Sequence, residues 1–234
     1  MKAATTPGRV ALLDVALRLA AGGMTPEQAS AWVESVYREQ ALPDLAAVCA
    51  EAESRAWYAP RDAHALARLA RALAETADPA PAEIARVDLA EGVTLNALER
   101  FAEARPLLQR AAQAFAVSSD APHESRALAE LAIACTYLDD QAAAALERAQ
   151  AYLAAADDAL ARAYVARAEG IYLLEQGHHD EAAAQLRQAG EGFIACHRHG
   201  EAALGWWWLA LARRFSAVDE ALGWLDKAAA VPAP

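Results

Sequence analysis

The 234-residue chain is predicted to be all α-helical, and three observations carry that prediction. Alanine, the strongest helix former and a residue depleted in strands, fills 67 positions, more than a quarter of the chain. Apolar residues recur with helical spacing almost throughout, and no segment alternates with period two for long. The periodic runs are broken only at short polar or Gly/Pro spots.

Taken in order, the breaks are Gly22-Gly23, Ala41-Leu42-Pro43, Ala59-Pro60, Asp78-Pro79, Ser118 to Pro122, Asp139-Asp140, Ala156 to Asp158, Gly177 to Asp180, and His197 to Gly200. The chain reads as about twelve helical segments, each roughly 12 to 20 residues, the usual helix length. Thr25-Pro26-Glu27-Gln28 reads as a helix start: Thr25 at the N-cap, Pro26 in the first turn, Gln28 in the capping-box position. Residues 1–7 read as a flexible N-terminus, 8–41 as an N-terminal helical hairpin, 43–230 as repeats, and 231–234 as a tail. Residues 8–230 together read as a single domain.

Composition narrows the function classes. Hydrophobic residues make up 56% of the chain, which excludes a disordered polypeptide. The net charge of −11, spread without long like-charge blocks, argues against nucleic acid and against a polybasic membrane anchor. The longest strongly apolar window, Ala202 to Ala212, is too short to span a bilayer. Cys49, Cys135 and Cys196 are too few and scattered for a disulfide framework. Asp14 and Arg18 interrupt the N-terminal apolar run, so it makes a poor signal-peptide core. A cytoplasmic location is expected.

Short helices joined by short turns suggest stacked antiparallel hairpins, and an internal repeat supports this. Glu91-Gly92-Val93, with Phe101, Ala104 and Leu108 downstream, aligns with Glu169-Gly170-Ile171, His179, Ala182 and Leu186. The offset is two periods of about 39 residues. The same step links Ala65, Ala104, Ala143, Ala182 and Ala221, then Leu69, Leu108, Leu186 and Leu225, and also Phe115 with Phe193. A small residue on the second helix of each hairpin lets it approach the first closely, and the Leu one turn on fills the gap toward the next hairpin.

Gly92, Leu95, Phe101, Ala104, Leu108 and Ala111, and again Gly170, Leu173, Gly177, Ala182, Leu186 and Ala189, resemble the tetratricopeptide (TPR) pattern. The hairpin with Trp208, Leu209, Ala221, Leu225 and Ala228 resembles it loosely, and the repeat over about 124–156 is degenerate. The period exceeds the 34 residues of that family, so the chain looks like the stretched TPR arrays of bacterial CHAT-domain and MalT-like signalling proteins. The resemblance implies a right-handed α-solenoid whose helix-A side chains line a concave groove. In that register the inner row includes Arg86, Leu89, Val93 and Asn96, then Ser125, Leu128, Ala132 and Cys135, then Tyr164, Arg167, Ile171 and Leu174, then Ala203, Trp206, Ala210 and Arg213.

Candidate partner-binding residues are Arg86, Leu89, Asn96, Tyr164, Arg167, Ile171, Trp206, Trp207 and Arg213. An apolar and aromatic row with interspersed Arg suits a peptide bearing apolar anchors and acidic groups. The opposing expectation is that these apolar residues pack the interior while the Arg side chains run along helix surfaces. On the groove reading, Arg167→Ala and Trp206→Ala weaken partner binding and leave the melting temperature nearly unchanged. Trp206-Trp207-Trp208 span about 200° of one helix, so one face can be buried but hardly all three. The TPR-like register buries Trp208 and turns Trp206 toward the groove.

The remaining chemistry is sparse. His178-His179 and Cys196-His197-Arg198-His199 sit at opposite ends of one helix, on the order of 20 Å apart, and cannot share a metal ion. No P-loop, G-x-S-x-G or H-E-x-x-H motif occurs. The expectation is a non-enzyme without cofactor or metal: a scaffold that binds a partner protein or peptide. The alternatives are an oligomerisation or sensor arm of a larger signalling protein, self-associating through the C-terminal hairpin, and an enzyme using Cys or His in a helical pocket.

Overall fold

The computed structural model describes residues 7–36, 45–77, 79–138, 141–214 and 216–230; residues 1–6 and 231–234, assigned to the terminal segments, lie outside these. Among the described residues there are twelve α-helices and no strand. They are α1 (Pro7–Ala20), α2 (Pro26–Val36), α3 (Leu45–Arg55), α4 (Pro60–Ala77), α5 (Pro81–Ala97), α6 (Phe101–Val117), α7 (Ala121–Thr136), α8 (Ala142–Ala155), α9 (Ala159–Glu175), α10 (His179–Ala195), α11 (His199–Arg213) and α12 (Val218–Ala229). The predicted breaks that fall on described residues lie between these helices, but the boundaries between α5 and α6 and between α11 and α12 carry no predicted break. The chain divides into two compact units, Met1–Glu99 and Arg100–Pro234.

Local chemistry sets the helix ends. Before α2, Thr25 Oγ1 accepts the Gln28 N–H at 3.2 Å, and Gln28 Oε1 accepts the Thr25 N–H at 2.8 Å, which completes the expected capping box. Asp158 caps α9 by accepting the Ala161 N–H at 2.9 Å. Between the hairpin helices the chain reverses through a left-handed residue: Ser119 (φ 58°), Gly177 (φ 80°) and His197 (φ 57°). After each, an N–H reaches back five residues, from Asp120 to Phe115 O (2.9 Å), His178 to Leu173 O (2.9 Å) and Arg198 to Phe193 O (2.8 Å). These bonds satisfy carbonyls that a helix end would otherwise leave bare.

In the first unit α4 is central, packing against α1, α2, α3 and α5. Leu66 and Leu69 of α4 meet Val15 and Leu19 of α1 and Val33 of α2, while Ala70 and Ala74 meet Val48, Cys49 and Val87. Arg71 of α4 also reaches Asp88 and Glu91 of α5, the latter at 2.9 Å. Burial works against the Arg71 charge, but the two carboxylates outweigh it and hold the guanidinium above its ordinary value.

In the second unit each helix packs on the next, and α7 also packs on α9. The repeat positions explain why. Ala104, Ala182 and Ala221 are buried, as are Leu108, Leu186, Phe115 and Phe193. Gly170 of α9 lies so close to α10 that an added Cβ would sit 2.6 Å from Leu186 Cγ. This fit joins the two helices of one hairpin, with the small residue on the first helix, whereas the alignment places the small residue on the second helix and turns the Leu toward the next hairpin. Two positions depart from the repeat. Ala143 is exposed, because α8 begins at Ala142 and buries Ala142, Ala145, Leu146 and Ala149. Leu225 is 39% exposed, since α12 packs on α11 and on no later helix among the described residues.

Candidate interaction surface

The nine candidate residues do not share one exposed surface. In the first unit, Leu89 and Asn96 are buried on α5 and Arg86 is half-buried. In the second, Tyr164, Arg167 and Ile171 are buried on α9, and Trp206 is buried on α11. Arg213 is half-buried, and only Trp207 stands clear of its neighbours, at 45% exposure. Six of the nine are thus buried, in line with the interior-packing expectation, whereas Leu128 and Cys135 of the same inner row line a groove. The physical reason is that an inward helix-A position faces the next hairpin once hairpins are closely stacked.

Arg167 is the clearest case. Its guanidinium pairs with Glu130 of α7, and both side chains are wholly buried. It also lies 5.4 Å from the Tyr164 ring and 5.7 Å from the Phe193 ring. Tyr164 stands edge-on to Phe193 at 5.0 Å, with the Arg126 guanidinium 4.5 Å over its ring. The Tyr164 hydroxyl donates to Glu201 Oε1 at 3.3 Å and accepts from Arg198 Nη2 at 3.2 Å. Arg198 in turn donates through Nε to Glu201 at 2.8 Å. Burial opposes the Arg198 charge, but Tyr164 and Glu201 outweigh it and raise the guanidinium above its usual value. This network ties α7, α9, α10 and α11 together. Buried charges are tolerated when paired and hydrogen-bonded, so it fixes how the helices stack.

The tryptophan triplet is arranged differently from the expected register. Trp206 is the buried member, Trp208 is half-buried, and Trp207 is exposed and packs edge-on to Trp208 at 4.9 Å. Trp206 lies against Gly190 of α10, where an added Cβ would be 2.5 Å from its Nε1. The helix crossing, invisible in the repeat pattern, decided which Trp is covered.

On α12, Ala221 is buried while Val218, Leu222 and Leu225 are 57%, 54% and 39% exposed. Spaced at 218, 222 and 225, they form one stripe along α12. A separate groove of about 590 Å³ opens where α6 and α8 flank α7. Leu128, Leu131 and Cys135 line it from α7, with Ala112 of α6 and Ala145 of α8. Leu128 and Cys135 were expected on the inner row. The weak packing of α8 on α9, which the degenerate repeat foreshadows, accompanies this gap.

No group of three or more His, Cys, Asp or Glu side chains is placed to hold a metal ion among the described residues. The His197 and His199 rings lie 6.4 Å apart. No helix among the described residues is long and apolar enough to cross a membrane. Comparison with protein-family models and with curated proteins finds no match.

Proposed function

We propose that the chain is a non-catalytic interaction scaffold, a TPR-like right-handed solenoid over residues 8–230 that engages a partner protein or peptide in the cytoplasm. The carrying observation is the exposed apolar stripe Val218, Leu222 and Leu225 on α12, with Trp207 also exposed on α11. Apolar side chains gathered on one exposed face mark contact sites far more often than single scattered ones. The near-constant spacing of helix starts, Ala121, Ala159 and His199, and the Gly170–Leu186 fit support the repeat reading. Because most of the helix-A candidates are buried, the partner contact is assigned to the exposed α12 stripe.

The test is affinity capture with the full chain, using Leu222→Glu with Leu225→Glu as the control bait. Partner recovery is expected to fall at least tenfold while the circular dichroism spectrum stays helical. Equal recovery would remove the assignment. A second reading, self-association as an arm of a larger signalling protein, draws on the same stripe, whose spacing of four and three residues suits a second helix. Sedimentation would favour it if micromolar chain forms a dimer that the double variant dissolves.

A further inference from the structure

α12 is the least embedded helix of the second unit. It has twelve residues, buries only Ala221, and rests on α11. A helix this short does not persist alone in water, so its docking contacts maintain it. Besides the buried Ala221, these contacts involve three side chains on one face, Glu220, Trp224 and Lys227, at spacings of four and three residues. Glu220 Oε1 accepts from Arg187 Nη2 of α10 at 2.8 Å, and Glu220 Oε2 lies 3.9 Å from Arg213 Nε of α11. Trp224 Nε1 donates to Glu220 at 3.2 Å, and the Arg187 guanidinium is 5.5 Å over the Trp224 ring. The Lys227 ammonium sits 4.3 Å from the Trp206 ring and 4.7 Å from the Trp224 ring. Cations held over Trp faces at such distances are attracted by the ring quadrupole.

Two members of this face have contacts besides α12. Trp206 lies against Gly190, and Gly205 is close enough to Gly190 that an added Cβ would lie 3.3 Å from its backbone. Arg213 is held by Asp180 at 2.5 Å. The face offers two guanidinium groups and one indole plane, covered by a helix whose ion pairs are part-exposed and individually weak. The Arg187 and Glu220 side chains are 44% and 37% exposed.

We propose that the α10–α11 face carrying Arg187, Trp206 and Arg213 is a helix-binding site that α12 occupies in cis. In place of α12 it takes a partner helix that presents an acid, an aromatic four residues on, and a Lys or Arg three further on. The charge order on the seat selects this sequence: guanidinium groups receive the acid, and the indole face receives the cation. The inference rests on the scaffold reading and names the partner chemistry at a surface distinct from the outer Val218–Leu222–Leu225 stripe.

The experiment titrates a fluorescein-labelled peptide with the sequence of residues 217–230 into the full chain and follows anisotropy. In the Trp224→Ala chain, and in the Lys227→Ala chain as a second way of loosening α12, the peptide is expected to bind at least tenfold more tightly than to the unaltered chain. Adding Arg187→Glu should abolish binding, and a peptide carrying Glu220→Arg should restore it to that chain. Two results would overturn the site: no saturable binding to either loosened chain while both remain helical, or binding that survives Arg187→Glu. Loosened chains that instead form dimers dissolved by Arg187→Glu would assign the seat to a second copy and overturn the partner reading. The Leu222→Glu, Leu225→Glu chain bears on the scaffold reading alone, because those side chains point away from the seat.

Discussion

Arg167 carries its charge into a place where no water reaches it, and Glu130 meets it there. Such a pair adds little net stability over an apolar pair of equal volume, but breaking it strands a charge. Arg167→Ala is therefore expected to lower the unfolding free energy by about 3–5 kcal/mol. Replacing both partners, Arg167→Met with Glu130→Leu, should recover most of that loss. Urea denaturation followed by circular dichroism reads both, and a single variant with an unchanged midpoint would show that the pair is not buried. This reverses the expectation of an unaffected melt. The residue identity at 167 was legible in the sequence; its fate was not, because an Arg on an inner helix position looks the same whether it faces solvent or a carboxylate on the preceding hairpin. The 37 residues separating Glu130 from Arg167 put the partner about one repeat away.

At the scale of the element, the reversals between helices follow one plan with different residues. Gly177 takes a left-handed conformation without steric cost, whereas Ser119 and His197 hold the same conformation with a Cβ. His197→Gly should stabilise the second unit by up to about 1 kcal/mol, the relief of the Cβ strain offset by the greater freedom of glycine in the unfolded chain. A denaturation midpoint that falls instead would mean that the His197 side chain supplies a contact worth more than the strain. Helix boundaries were largely readable, since Thr25-Pro26-Glu27-Gln28 and Asp158 announce their caps. The start of α8 was not. Gln141 enters it with φ 50° and four successive Ala residues offer every register equally, so Ala142 is buried rather than Ala143.

Across the whole molecule, the division into two compact units, Met1–Glu99 and Arg100–Pro234, predicts separate cooperativity. Calorimetry is expected to show two transitions. Thr25→Ala, which removes a cap and costs about 1 kcal/mol, should move only the transition of the first unit. Arg167→Ala should move only the other. One transition shifted by both variants would show that the chain unfolds as a single cooperative body. The net charge of −11 does not preclude local cations at the α12 contact: Arg187 and Arg213 reach Glu220, and Lys227 sits over Trp206.

What the sequence settled alone was the helical secondary structure and several buried positions. Alanine abundance, helical periodicity and turn residues act within a few positions, so most of the helix boundaries and the burial of Ala104, Ala182, Leu108 and Leu186 follow from local rules. The tertiary structure decided which side of each helix is left over. A helix offers several apolar faces, and Trp206, Trp207 and Trp208 are chemically equal until a neighbour approaches. The absence of side chains at Gly190 and Gly205 lets α10 and α11 close on Trp206 and leave Trp207 in solvent, and the docking of α12 through Glu220, Trp224 and Lys227 leaves Leu222 and Leu225 bare. Exposure is a property of pairs of helices, and no single segment encodes it.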